Sequence, residues 1–157
     1  MTPKERALYA VFREVRTCFN QMKFLAEQLH QDSGVNPSMR AVMETLSAQS
    51  PQTVPDIAKS KRVSRQHIQT IMNSLLTAGW VDYFDNPAHK RSPLFDLTPK
   101  GRTVFAEIKK REKEPLQRLA AAIPAQSLRH AQQALSQLNR HLVDEITKGV
   151  NHEKSLS

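Results

Sequence analysis

The sequence has one cysteine, Cys18, so no intramolecular disulfide and no cysteine-rich zinc site can form. It has only four glycines, at positions 34, 79, 101 and 149, and no two lie within five residues of each other. Neither GxGxxG nor the GxxxxGK motif can be written with that spacing, which excludes the loops that cradle dinucleotides and nucleoside triphosphates. Aromatic residues make up 6% of the chain. No apolar run approaches the ~18–20 residues of a membrane span, and the mean hydropathy is −0.54. The first residues, MTPKERALYAVFREV, carry charge throughout and lack the apolar core and small-residue cleavage site of a signal peptide. A reducing cytoplasm is therefore the expected compartment, with no membrane partner. None of the six histidines falls in an HExxH pattern, and no nucleophile–base pair or paired carboxylates stand at a catalytic spacing. The chain reads as a non-enzyme with no cofactor and no metal.

What is present in excess is positive charge. Lys and Arg number 23 against 15 Asp and Glu over 157 residues, a net charge of +8. The middle third, residues 51–102, is the densest, at net +4. Lys59, Lys61, Arg62 and Arg65 fall within seven residues that contain no acid, and His89, Lys90 and Arg91 form a second cluster. Two compact basic clusters suit a polyanionic partner.

The length favours a single domain over residues 1–157. Apolar residues from Leu8 to Leu29 recur every three or four positions, which predicts a helix over 3–30. Asn36-Pro37 supplies a cap and a first-turn proline for a second helix, with Met39, Val42, Met43 and Leu46 buried. Thr53 and Asp56 match a capping box for a short helix over 53–60. Ser64 caps a longer helix over 65–78 that Gly79 ends, with Val63 and Ile68 placed as a hydrophobic staple and Ile68, Ile71, Met72, Leu75 and Leu76 inward. Residues 80–84 and 92–97 read as strands of a hairpin whose tip is the basic loop 85–91. Trp80 and Phe84 are expected to pack on that sheet. Thr98-Pro99 opens a further helix, which Pro115 should kink or interrupt. Leu128, Ala131, Leu135, Leu138 and Leu142 alternate steps of three and four, a coiled-coil-like seam in a last helix over 125–148. Beyond Gly149 a frayed tail is expected.

Two helices joined by the tight turn 60–63 and followed by a hairpin make a winged helix-turn-helix. The fold class expected is mainly α with a small β-hairpin wing: a winged head over 36–102 and a helical dimerisation lobe from residues 3–30 and 115–148. In such a head the second helix enters the DNA major groove while the first crosses the backbone. With its apolar residues inward, that helix displays Arg65, Gln66, Gln69, Thr70 and Asn73. Arginine suits guanine edges, and glutamine and asparagine suit adenine. Ser64, Lys61, Arg62, Lys90 and Arg91 complete the expected DNA-binding set, and His67 is expected to meet backbone or phosphate. The rival reading is a winged-helix protein-interaction module whose basic surface is incidental.

Residues 53–102 resemble the winged helix-turn-helix of the MarR family of bacterial transcription regulators. The resemblance rests on Val63-Ser64-Arg65-Gln66-His67 opening the recognition helix, Ala78-Gly79 leading into the first strand, and Leu97-Thr98-Pro99-Lys100-Gly101-Arg102 after the wing. It extends more loosely to residues 36–43 and the flanking helices. It implies a regulator of transcription, expected here to be a repressor, that binds double-stranded DNA and responds to a small-molecule effector. It also implies that Arg91 is the wing arginine that enters the minor groove, with Lys90 on phosphate. One departure is plain: wings of this family usually carry an acid before the two basic residues, and here His89 stands in that place. The apolar seams, among them Leu8, Val11, Phe12 and Val15 at one end and Leu128, Leu135, Leu138 and Leu142 at the other, exceed what one small monomer needs. They predict a homodimer on a palindromic operator. Some members of the family sense oxidants through a cysteine near this lobe; Cys18 is expected instead to be a small buried hydrophobe.

Overall fold

The computed structural model describes residues 1–154. Its helices begin where the sequence supplies caps. Helix α1 runs Pro3–His30, with Thr2 and Glu5 closing a reciprocal capping box. Helix α2, Pro37–Ala48, starts at Asn36, whose side chain accepts from the Met39 N–H at 2.9 Å. Strand β1 is the two residues Gln52–Thr53. Helix α3, Val54–Lys61, is capped by Thr53, whose hydroxyl accepts from the Asp56 N–H and donates to the Asp56 carboxylate at 2.7 Å. The expected capping box is therefore half made: the shorter aspartate meets the threonine hydroxyl instead of reaching back to the cap's own N–H.

Helix α4, Arg65–Thr77, is capped by Ser64. It ends as expected at Gly79, which has φ +72°, with the N–H groups of Gly79 and Trp80 returning to the carbonyls of Leu76 and Leu75. Strands β2, Val81–Phe84, and β3, Leu94–Leu97, form the antiparallel wing, with Tyr83 opposite Phe95. Strand β1 adds to the far side of β3, giving the order β1-β3-β2, so the expected hairpin is a three-stranded sheet. Trp80 is buried as expected, but Phe84 is exposed, because it lies on the solvent side of an edge strand.

Helix α5, Pro99–Ala122, passes through Pro115 without interruption, and α6 runs Ala125–Lys154. Of the kink or interruption expected at Pro115 the interruption is corrected, as is the fraying expected after Gly149. One proline removes a single backbone donor, which flanking turns can absorb, and one glycine costs only about 1 kcal/mol in a helix. Residues 155–157, the end of the expected tail, lie outside the described residues.

The chain forms two compact units, one from Met1 to Glu112 and one from Lys113 onward. The first holds the hydrophobic core. Val42, Met43, Leu46, Ile57, Ile68, Met72, Leu75 and Ile108 are its fully enclosed members, drawn from α2, α3, α4 and α5. Leu76, expected inward, is only partly buried. Within α1 the seam residues Leu8, Val11 and Val15 are exposed, and Cys18 is exposed with them. The buried role expected of Cys18 is thus corrected: nothing in the first unit packs over that part of α1. In the second unit Leu128, Leu135 and Leu142 are exposed as well.

Candidate nucleic-acid interface

The turn between α3 and α4 is built without glycine. Arg62 takes the left-handed conformation, φ 55° and ψ 45°, that usually calls for one. The N–H groups of Arg62 and Val63 return to the carbonyls of Lys59 and Ala58 at 3.3 and 3.1 Å, closing the end of α3. Arg62 is exposed, so the position presents a cation at some cost in backbone energy. Two residues on, Ser64 spends its hydroxyl on the His67 N–H at 3.0 Å, which fixes the first turn of α4. Val63 is exposed and lines a shallow hollow with Ile68, so the staple is open to solvent on one side.

The outward face of α4 carries the expected polar residues. Arg65, Gln66, Thr70 and Asn73 are exposed and Gln69 is half-buried. The Gln69 amide donates to Asn73 Oδ1 at 3.0 Å, and the Thr70 hydroxyl donates to the Gln66 carbonyl at 3.0 Å. Gln69 and Asn73 therefore act as one unit, offering an acceptor from Gln69 and donors from Asn73. That is the pair of functions an adenine edge requires.

The wing loop is tied down by Asn86. Its side chain donates to the Ser92 carbonyl at 2.9 Å and accepts from the Ala88 N–H at 3.1 Å, and the His89 N–H bonds the Asn86 carbonyl. This staple turns neighbouring basic residues to different sides. Arg91, Ser92 and Pro93 face Arg65, Gln66 and Gln69 across a cleft of about 290 Å³, completed by the buried Val54 and Phe95. Lys90 instead lines a separate hollow with Asp85 and Pro87. Lys61 is also apart, in the hollow between α2 and α4 beside His67. So of the expected set the structure gathers Arg65, Gln66, Gln69 and Arg91, and sets Lys61 and Lys90 on other surfaces. Ser92 and Pro93 were not singled out from the sequence; only the spacing from Asn86 across the loop hints at them.

At the root of the wing, Arg102 bonds Asp96 at 2.7 Å. The Thr98 hydroxyl donates to the Gly79 carbonyl at 2.7 Å, and the Thr98 N–H to the Trp80 carbonyl at 3.1 Å. The residues after the wing are thus the anchor that joins α5 to the end of α4. A second polar cluster lies within the same unit. Arg40 grips Glu112 with two bonds of 2.7 Å, and the buried His30 bonds the same carboxylate at 3.0 Å. Burial works against the Glu112 charge, but hydrogen bonds from Arg40 and His30 outweigh it and hold the carboxyl below its ordinary range. The Glu112 bond also holds the Arg40 guanidinium above its ordinary range, against its burial. Among the described residues His30 Nδ1 is a buried nitrogen without a hydrogen-bond partner. Among them, too, no cluster of His, Cys, Asp and Glu is placed to hold a metal, and no helix is long and apolar enough to cross a membrane.

Comparison with known proteins agrees with this geometry. Residues 38–86 match the family described as the RNA polymerase III subunit RPC82 helix-turn-helix domain. Over 86 residues the chain is 35% identical to uncharacterized proteins of Mycobacterium bovis and Mycobacterium tuberculosis, Mb2034c and Rv2011c. That match spans 55% of this chain and 60% of the length of those relatives. A MarR family transcription regulator of known structure is 25% identical and superposes with a TM-score of 0.78, covering 90% of this chain and 93% of its own. Staphylococcus aureus MarR, solved with salicylate and kanamycin, gives a TM-score of 0.79 at 15% identity over 90% of this chain and 95% of its own. An E. coli MarR mutant complexed with operator DNA gives 0.76 at 17% identity over 84% and 95%. The chain has the winged helix-turn-helix fold seen in MarR family transcription regulators.

Proposed function

We propose that the chain is a sequence-specific regulator of transcription that binds double-stranded DNA. The observation that carries this reading is the face made by α4 and the wing. It gathers Arg65, Gln66, Gln69 and Arg91 around one cleft without a carboxylate among its lining residues. An acid-free, arginine-bearing surface beside an outward helix is what a duplex requires: cations for the phosphates and amides for the base edges. Ser64 and Arg62 flank it, and Thr70 and Asn73 extend it along α4. Two of the similar structures support the reading, one bound to operator DNA and one to small molecules. In this reading the regulator is a repressor that responds to a small-molecule effector.

The exposed apolar residues of α1, Leu8, Val11 and Val15, with half-buried Phe12, and those of α6, Leu128, Leu135 and Leu142, with Leu138, are covered in this reading by a second copy of the chain. A two-fold dimer then presents two α4 helices to half-sites about 34–36 Å apart, one turn of B-DNA. Titration of the full chain with duplex DNA at several salt concentrations tests the reading. Affinity should fall steeply with salt. Gln69→Ala should relax preference at one base pair per half-site at a cost of about 1–3 kcal/mol. Salt-independent or absent duplex binding would leave the protein-interaction reading in its place.

A further inference from the structure

His30 closes α1 and is 2% exposed. Its Nε2 lies 3.0 Å from Glu112 Oε1. A carboxylate can only accept, so Nε2 carries a hydrogen, and in the neutral ring Nδ1 is a bare lone pair. That atom is buried and has no partner. Protonation places an N–H there with nothing to accept it, a costly state for a buried donor. Little charge attraction is left to offset the cost. The Arg40 fork already occupies both Glu112 oxygens at 2.7 Å, so a charged His30 is a second cation on one carboxylate. Glu44, bonded to the other end of Arg40, is exposed and screened. Glu27, one turn earlier in α1, is exposed too and lies 3.9 Å from Lys23. With His30, Gln31 and Gly34 it lines an open hollow of about 230 Å³. Glu112 keeps its charge in mild acid: burial opposes it, but bonds from Arg40 and His30 hold the carboxyl below its ordinary range. The imidazole is then the member of the cluster that takes up a proton.

His30 is also tied to the loop that follows it. Its carbonyl accepts from the Ser33 N–H at 2.9 Å and from the Ser33 hydroxyl at 2.7 Å, and that hydroxyl accepts from the Val35 N–H at 3.1 Å. Between them, Gly34 has φ +72°, and a Cβ there would lie 3.7 Å from Trp80 Cη2, so the edge of the indole rests against this loop. The Trp80 carbonyl in turn accepts from the Thr98 N–H at the root of the wing. We propose that His30 is a proton-operated latch. Charging turns the ring out of its seat into the hollow, frees the 31–36 loop from Trp80 and loosens the root of the wing, so that duplex binding weakens in mild acid. The effect on DNA rests on the DNA-binding reading above; the latch itself does not.

The chain has a single tryptophan, so its emission reports Trp80 alone. The full chain would be followed at constant ionic strength from about pH 7.5 to about pH 5.5, across the range in which an imidazole charges. The comparison is with His30→Gln, which keeps a donor for Glu112 and does not titrate. In the wild type, amide-exchange protection at Ser33 and Val35, corrected for intrinsic rates, should fall about tenfold, because opening that takes up one proton gains up to about tenfold per pH unit. The Trp80 emission should shift over the same range. His30→Gln should hold both constant. Duplex affinity should fall at least about fivefold more in the wild type than in the variant, which retains His67 and His89 and so cancels their titration. The His30 ring resonance of the wild type is a second measurement that does not need the variant to fold: it should titrate together with exchange and emission. A ring that titrates while protection holds or rises, or exchange and emission that change alike in both proteins, would overturn the latch. Equal losses of affinity in the two proteins would overturn its link to the wing. If the wild type binds no duplex at any pH, the DNA reading falls, and exchange and emission still decide the latch.

Discussion

Gly101→Ala should be the most damaging methyl group that can be added to this chain. Gly101 sits in the first turn of α5, against the backbone where α4 turns into the wing. A Cβ there would lie 1.9 Å from the Trp80 carbonyl oxygen and 2.8 Å from its carbon. An ordinary contact is roughly 3.5 Å, so α5 would have to withdraw by about 1.5 Å. The obstacle is backbone and cannot swing aside: the Trp80 N–H bonds Leu75, its carbonyl accepts from Thr98, and its side chain is buried. Withdrawal breaks the Thr98–Trp80 bond, about 1 kcal/mol, and disturbs the seats of Phe105 and Ile108, an overpacking cost of about 1–3 kcal/mol. Relief of glycine's helix penalty returns up to ~1 kcal/mol. The net loss is about 2–3 kcal/mol, which moves a urea midpoint by roughly 1 M. Gly79→Ala is the control. Gly79 has φ +72° and nothing within 4 Å of its would-be Cβ, so alanine adds only the strain of the left-handed conformation, about 1 kcal/mol. If Gly101→Ala matched the wild type, or lost less than Gly79→Ala, the reasoning would be refuted.

Three further outcomes are expected. Arg62→Gly should leave stability unchanged or raised by up to ~1 kcal/mol, because glycine accepts the left-handed turn, yet weaken duplex binding and lower the salt slope by about one; denaturation and salt titration on one preparation would check both halves. Glu112, held below its ordinary range, contributes stability that is present at neutral pH and lost as pH falls through its lowered value. Wild-type melting should therefore decline more steeply with acid than that of Glu112→Gln, and parallel profiles would discount the cluster with Arg40 and His30. Val11→Glu and Leu135→Glu each place a charge on an exposed apolar seam. Each should convert a dimer to a monomer in sedimentation at micromolar concentration, and a monomeric wild type would defeat the premise.

What the sequence made legible was local. Asn36, Thr53, Ser64 and Gly79 mark helix ends because a cap is a contact over three or four residues, and each stands where the spacing placed it. The three-four periodicity identified Met43, Leu46, Ile68 and Met72 as core for the same reason. Strand β1 escaped notice because two residues carry no period, and their pairing with β3 is decided more than 40 positions away. His30 and Glu112 are 82 residues apart, so neither signals the other. Cys18 misled because a helix face rich in apolar residues implies burial without saying which molecule provides it. In the wing, the residue types were readable but their surroundings were not: Arg91 lines the cleft beside α4 and Lys90 a separate hollow.

The central claim is that the face of α4 and the wing reads DNA sequence, and one ratio tests it most directly. Duplexes selected by the full chain from a random pool would be compared with unselected duplexes at the same salt, by equilibrium titration. A specific regulator should bind the selected sites at least about 10³-fold more tightly, with Gln69→Ala cutting that ratio while leaving unselected binding unchanged. A ratio near one, with both duplexes bound alike and released alike by salt, would mean a basic surface without readout and would contradict the account.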